Sequence, residues 1–295
     1  MTLLLHLGLF FFAAHILQPP ERPSLPSLVV GSAGSYTVKP GDLLTSIGAR
    51  LGIPRLTIAR SNDLPADARL RIGQVLNLDN RHIAPTVRED GILINVPQRL
   101  LFYFEMGNLV SWYPVGLGAA DWRTPLGTLH VLTKETDPFW DVPVSIQREM
   151  RRRGEKVRTR VPPGPDNPLG RYWMGLTPGS CGIHATNAPT SVYQFRTHGC
   201  IRLHPEDAED LFSRVTIGTP VEIVYEPVLL ARTEEGKIFL EVHPDVYRRA
   251  PDPRRAVRVL AERQGLEAEL DWALVEERIR ERGGIAGEVS RKEPD

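Results

Sequence analysis

Between Gly91 and Tyr225 the chain is a succession of short runs rich in β-branched and aromatic residues, and no other feature limits its fold as much. Residues 92–96, 100–104 and 109–115 read as strands, with Met106-Gly107-Asn108 turning the second into the third as a hairpin. Residues 128–132, 172–176 and 220–225 continue the series. One helix interrupts it. Pro205 suits a first helical position, Glu206 and Asp207 favour the amino-terminal dipole, and Ala208, Leu211, Phe212 and Val215 share a face. Residues 134–170 hold a basic stretch and a Pro-rich loop, and read as irregular surface rather than core.

The flanks differ in pattern. Residues 35–78 carry the order strand, helix, helix, strand, with Asp42 placed to cap the first helix and Gly52 to close it. The Pro-, Ser- and Gly-rich stretch 18–34 reads as a linker. From Arg254 onward Val257, Leu260, Leu266, Leu270 and Leu274 predict amphipathic helices, and the chain after Gly283-Gly284 reads as a frayed end. At the amino terminus residues 3–17 are almost wholly apolar. That run is short for a membrane span of about 20 residues and fits the apolar region of a signal peptide, with a membrane anchor as the alternative. An exported, periplasmic or cell-envelope protein is expected.

Composition excludes two classes. With 36 Lys+Arg against 36 Asp+Glu the chain lacks the excess positive charge that nucleic-acid binding needs. Its two cysteines cannot build a disulfide scaffold, although one can serve as a nucleophile.

The chemistry gathers in Gly182-Ile183-His184 and Thr197-His198-Gly199-Cys200-Ile201-Arg202. A free thiol is mostly protonated at neutral pH; a neighbouring imidazole lowers its pKa and stores the proton for the leaving amine. Gly199 lets backbone approach a substrate, and its N–H with that of Cys200 is suited to an oxyanion. Arg202, two residues on, suits a substrate carboxylate. Cys181, His184, His198 and Cys200 also raise a zinc reading, which the short His-x-Cys spacing disfavours, so neither metal nor cofactor is expected. Cys181 reads as a spare thiol close enough to Cys200 to threaten its oxidation. His130 and His204 read as structural or exposed.

Two resemblances organise these features. Tyr36-Thr37-Val38-Lys39-Pro40-Gly41-Asp42, the run Ser46–Gly52, Ser61-Asn62-Asp63-Leu64 and the closing GQVLNL make residues 35–79 resemble a LysM domain, which implies binding to N-acetylglucosamine-containing glycans such as peptidoglycan. The ordered combination of His184 with Thr197-His198-Gly199-Cys200-Ile201-Arg202, together with RTPLG at 123–127, resembles the L,D-transpeptidase family with its YkuD-type catalytic domain. That resemblance implies a mainly β catalytic domain over 90–226, a β-sandwich with one or two helices, followed by a partly helical extension over 227–295. It implies Cys200 as nucleophile, His184 as general base, and His198, Thr197, Gly199 and Arg202 completing the oxyanion and substrate site. The implied reaction cleaves the bond between meso-diaminopimelate and D-Ala in a peptidoglycan tetrapeptide stem and passes the acyl group to an amine, on another stem or on a lipoprotein lysine. Hydrolysis of the same acyl-enzyme, or a silent peptidoglycan-binding protein, are the alternatives.

Overall fold

The computed structural model of the chain describes residues 28–177 and 181–292. The apolar run 3–17 lies outside them, and no helix among the described residues is long and apolar enough to cross a membrane. The linker expected over 18–34 is structured from its later part: Val29–Val30 pairs antiparallel with His82–Ile83, and strand β1 (Ala33–Thr37) already begins there. Helices α1 (Leu44–Leu51) and α2 (Arg55–Arg60) follow, and β2 (Val75–Asp79) returns antiparallel to β1. Ile47, Ile53, Ile58 and Leu76 make a small core of their own. Asp42 is not the cap expected of it. Its carboxylate accepts from the Lys39 N–H at 2.8 Å and the Tyr36 hydroxyl at 2.7 Å, while Ser46 Oγ takes the Leu43 N–H. Gly52 does close α1, at φ 73°.

The central strands are β3 (Gly91–Asn95), β4 (Leu100–Glu105), β5 (Asn108–Pro114), β6 (Gly127–Thr136), β7 (Tyr172–Thr177), β8 (Gly182–His184), β9 (Ile201–Arg202) and β10 (Pro220–Val224). They join in one eight-stranded mixed sheet of order β9-β8-β7-β6-β10-β3-β4-β5. The β4–β5 hairpin turns on Met106 at φ 48° and Gly107 at φ 75°, the two positive values a tight hairpin with right-handed strand twist requires. Alternation sets the layers. Ile92, Ile94, Leu101 and Tyr103 face one core, which also takes Ala208 and Leu211 of helix α4 (Pro205–Arg214). Leu93, Leu100, Phe102 and Phe104 face the other side, against Ala49 of α1 and Val192. Strands covered on both faces read as continuous apolar runs rather than alternating ones.

Two regions depart from expectation. Residues 134–170 contain helix α3 (Val144–Arg152), which buries none of its residues and lies in a stretch dominated by charge. The 227–295 extension holds the expected helices, α5 (Pro253–Gln264) and α6 (Trp272–Glu281), but they pack on a three-stranded sheet of β11 (Val228–Arg232), β12 (Ile238–Val242) and β13 (Gly287–Glu288). The end is not frayed up to residue 290: Gly283 O accepts from Thr57 Oγ1 at 2.6 Å, and Val289 is fully buried.

The βααβ unit over 35–79 is docked on the sheet domain. His204, buried, donates from Nε2 to the Ala49 carbonyl at 3.1 Å, and Arg50 pairs with Glu206. Where the βααβ unit, sheet domain and carboxy-terminal unit meet, Glu241 is completely buried. Its Oε1 accepts from His82 Nδ1 at 2.8 Å and His243 Nε2 at 2.7 Å, and its Oε2 accepts from the Ile83 N–H and the Gln98 amide. His82 Nε2 lies 3.0 Å from the Gly52 carbonyl, so each ring nitrogen of His82 faces an oxygen.

Candidate active site

Register assembles the site. β8 and β9 pair in parallel, Ile183 beside Ile201 and His184 beside Arg202. Both isoleucines are fully buried in the core. Because side chains alternate along a strand, His184 and Arg202 project together from the opposite face, and Cys200 lies one residue before β9 beside Gly182.

The imidazole of His184 is buried and fixed. Its Nδ1–H donates to the Ala185 carbonyl at 2.6 Å, which leaves the Nε2 lone pair free to take a proton. The Trp173 ring lies 5.8 Å away, centroid to centroid, and walls that side. The Cys181 thiol first, then the neighbouring His184 imidazole and its charge, outweigh burial and hold the Cys200 thiol well below its ordinary range. The same partnership and burial push Cys181 up. The Cys181 S–H thus has two acceptors, the Cys200 sulfur and the Gly199 carbonyl at 3.2 Å.

The loop between His184 and Cys200 has its own staples. Thr197, buried, donates from Oγ1 to the Cys200 carbonyl at 2.6 Å and accepts the Gly199 N–H at 3.2 Å. The Gly199 N–H, expected to serve an oxyanion, is therefore already engaged; what Gly199 supplies is its φ of +108°, open to glycine and strained for other residues. Among the described residues no acceptor meets the Cys200 N–H. His198 turns elsewhere: its Nε2 lies 3.2 Å from Glu149 Oε2 on α3, and its ring packs on Trp122. Arg202 donates from Nη1 to Ser191 Oγ at 2.9 Å, and burial lowers its pKa from the ordinary value. Cys181 and Cys200 open onto a groove of about 400 Å³ walled by Trp173, Leu176, Phe139 and Trp140.

Residues 89–223 match the family model of the L,D-transpeptidase catalytic domain, YkuD, and residues 36–79 match the LysM domain model. A protein of Escherichia coli strain K12 named "Probable L,D-transpeptidase YcfS" is 30% identical over 259 residues, which are 83% of this chain and 81% of that protein. The chain belongs to the L,D-transpeptidase family. "Probable L,D-transpeptidase ErfK/SrfK" of the same strain is 32% identical over 246 residues, 80% of this chain and 78% of its own length. "Probable L,D-transpeptidase YbiS" is 37% identical over 175 residues, 58% of this chain, and the match spans only 56% of that protein.

Several neighbours of the motif residues are invisible to motif reasoning. Glu149, Trp122 and Trp173 lie far from Cys200 in sequence, and Ser191 falls in the variable stretch between His184 and Cys200; only their contacts assign them to the site. Tyr247 comes from beyond the catalytic domain. Its buried hydroxyl donates to the Gly118 carbonyl at 2.7 Å and accepts the Thr124 N–H at 3.1 Å, bracing the loop that passes Gly199.

Two expectations follow here. A Cβ added at Gly182 would sit 2.4 Å from Trp173 Cη2, so Gly182→Ala displaces the ring beside His184. A loss of about 1–3 kcal/mol in unfolding free energy, with slower acylation, is the expected outcome of denaturant titration and kinetics. Iodoacetamide should alkylate Cys200 ahead of Cys181, at a rate already high well below the ordinary thiol value of 9, since the thiolate is present there. Cys181→Ala should move that rate profile to higher pH, and an unmoved profile would remove Cys181 from the thiol's environment.

Proposed function

We propose that this protein is a cysteine L,D-transpeptidase of peptidoglycan stems, acting in the cell envelope. The observation that carries the reading is the parallel β8–β9 register, which sets His184 beside Arg202 and brings Cys200 next to Gly182, on the strand that carries His184, where the imidazole favours the Cys200 thiolate. His184 Nε2 takes the thiol proton, and the thiolate attacks the meso-diaminopimelate carbonyl joined to D-Ala. The resulting oxyanion faces the Cys200 N–H. Collapse breaks the C–N bond, His184 returns its proton to the departing D-Ala amine, and a thioester on Cys200 remains. An acceptor amine, from another stem or a lipoprotein lysine, then attacks the thioester, loses its proton to His184, and leaves an amide and the restored thiol.

Arg202, held by Ser191, supplies a half-buried cation for a stem carboxylate. His198, set against Glu149 and Trp122, orients the loop over the groove rather than moving the proton at sulfur. The LysM unit leaves Leu43, Ile72 and Val75 exposed, apolar surface suited to sugar rings. Because that unit is docked, glycan binding there presents the polymer to the groove in a fixed orientation.

The test incubates purified protein with tetrapeptide muropeptides and follows intact mass and products. A Cys200-linked acyl adduct with cross-linked dimers supports transpeptidation, whereas tripeptide monomer alone assigns hydrolysis. Absence of any adduct would sink the mechanism.

A further inference from the structure

A cavity apart from the catalytic groove measures about 720 Å³, a volume suited to a small ligand, and lies where the LysM unit, the sheet domain and the carboxy-terminal unit meet. Its floor is apolar, with Ile53 and Val192 buried. Its charge is one-sided: Arg55, Arg60, Arg99, Arg280 and Arg282 line it, against a single carboxylate, Glu281. Glu281 is shared, lying 4.0 Å from Arg60 and 3.3 Å from Arg278, so it leaves most of this positive charge uncompensated.

A second observation points the same way. Three lining residues each carry a buried polar atom with no hydrogen-bond partner among the described residues: Arg99 Nε, the Tyr193 hydroxyl and His243 Nδ1. Tyr193 is 7% exposed and His243 2%. The Arg99 guanidinium lies over the Tyr193 ring, 4.2 Å from its centroid. Buried polar groups are ordinarily satisfied, and orphans gathered around one cavity mark groups that a bound molecule completes.

We propose that this junction cavity binds a carboxylate-bearing segment of a stem peptide, apart from the one processed at Cys200. Guanidinium forks pair bidentately with carboxylates, and cations spread around the wall match a ligand whose carboxylates are spaced along a chain better than one compact anion. The site exists only with all three units docked, which gives the carboxy-terminal unit a role in holding polymer. The assignment of the peptide as ligand rests on the function proposed above.

The test uses the full chain as Cys200→Ala, which binds without turnover, and titrates it calorimetrically with free tetrapeptide stem. Two binding events per chain are expected. Arg280→Gln combined with Arg282→Gln, both on exposed positions, should weaken one of them at least tenfold, leave the other unchanged, and leave the Cys200 acylation rate of the otherwise wild-type enzyme unchanged at saturating stem. Tyr193→Phe should weaken the same event. A single binding event, or two events indifferent to the arginine variants, overturns the proposal while acylation of Cys200 leaves the catalytic reading intact. Arginine-dependent binding in a protein that never acylates supports the cavity and sinks the catalytic reading. Displacement by inorganic phosphate as effective as by peptide overturns the carboxylate assignment.

Discussion

Cys200→Ala is expected to eliminate the acyl adduct and lower turnover by roughly 10³-fold or more, with the thermal midpoint essentially unmoved. In the proposed mechanism every covalent step passes through that sulfur, and the half-buried side chain contributes little packing. His184→Ala should cost about 10²–10⁴-fold, because it removes both the proton acceptor and the hydrogen bond that favours the thiolate. The two losses should not add: residues that act as a unit lose nearly everything with the first removal, so the double variant should match Cys200→Ala. Turnover and intact mass measured on the same samples decide the matter. Full turnover in Cys200→Ala would mean that the nucleophile is another group.

The second large effect concerns stability. Glu241→Ala leaves His82, His243, Gln98 and the Ile83 N–H facing a void where a carboxylate accepted from all four. Breaking a buried ion pair from one side costs about 3–5 kcal/mol, which in a domain of this size lowers the midpoint by on the order of 10 °C. Acid should reveal the same cluster. Burial raises the Glu241 pKa, but the His82 charge and the hydrogen bonds from His243 and His82 outweigh it and hold the carboxyl at about 2. A depressed carboxyl stabilises the fold above its ordinary value of 4.5, and that contribution is lost as pH falls toward 2. Burial also lowers His243 and His204 below 6.5. Their burial as neutral rings is fully favourable above 6.5 and loses ground as the unfolded chain takes up protons below it. Thermal midpoints measured across pH should therefore decline in two stages, and Glu241→Ala should lack the lower one. A variant with the wild-type profile below pH 4.5 would show that Glu241 does not titrate as described.

The parts legible in advance were those encoded locally. The 92–96 and 100–104 runs, the positive-φ turn at Met106-Gly107 and the helix opening at Pro205 each carry their signal within a few residues. The strands Val228–Arg232 and Ile238–Val242 did not stand out, because short apolar runs buried on both sides lack the alternation that tells strand from helix. Helix α3 was hidden for the opposite reason: it buries nothing, and its charges read as loop. Asp42 failed as a cap because the nearby Lys39 N–H and the Tyr36 hydroxyl claimed its carboxylate.

What the sequence alone determined is the chemistry available: a thiol and an imidazole in family spacing, a βααβ unit before a mainly β domain, and too little positive charge for nucleic acid. What only the tertiary structure decided is which groups meet. The His184 tautomer depends on where the Ala185 carbonyl points, and the Gly199 N–H is withdrawn by Thr197. His198 finds Glu149 on a helix that the sequence did not reveal. His82 reaches Glu241 across 159 residues. Such contacts follow from strand register and the docking of separate cores, where one residue of slip turns every side chain to the other face, and no local pattern carries that information.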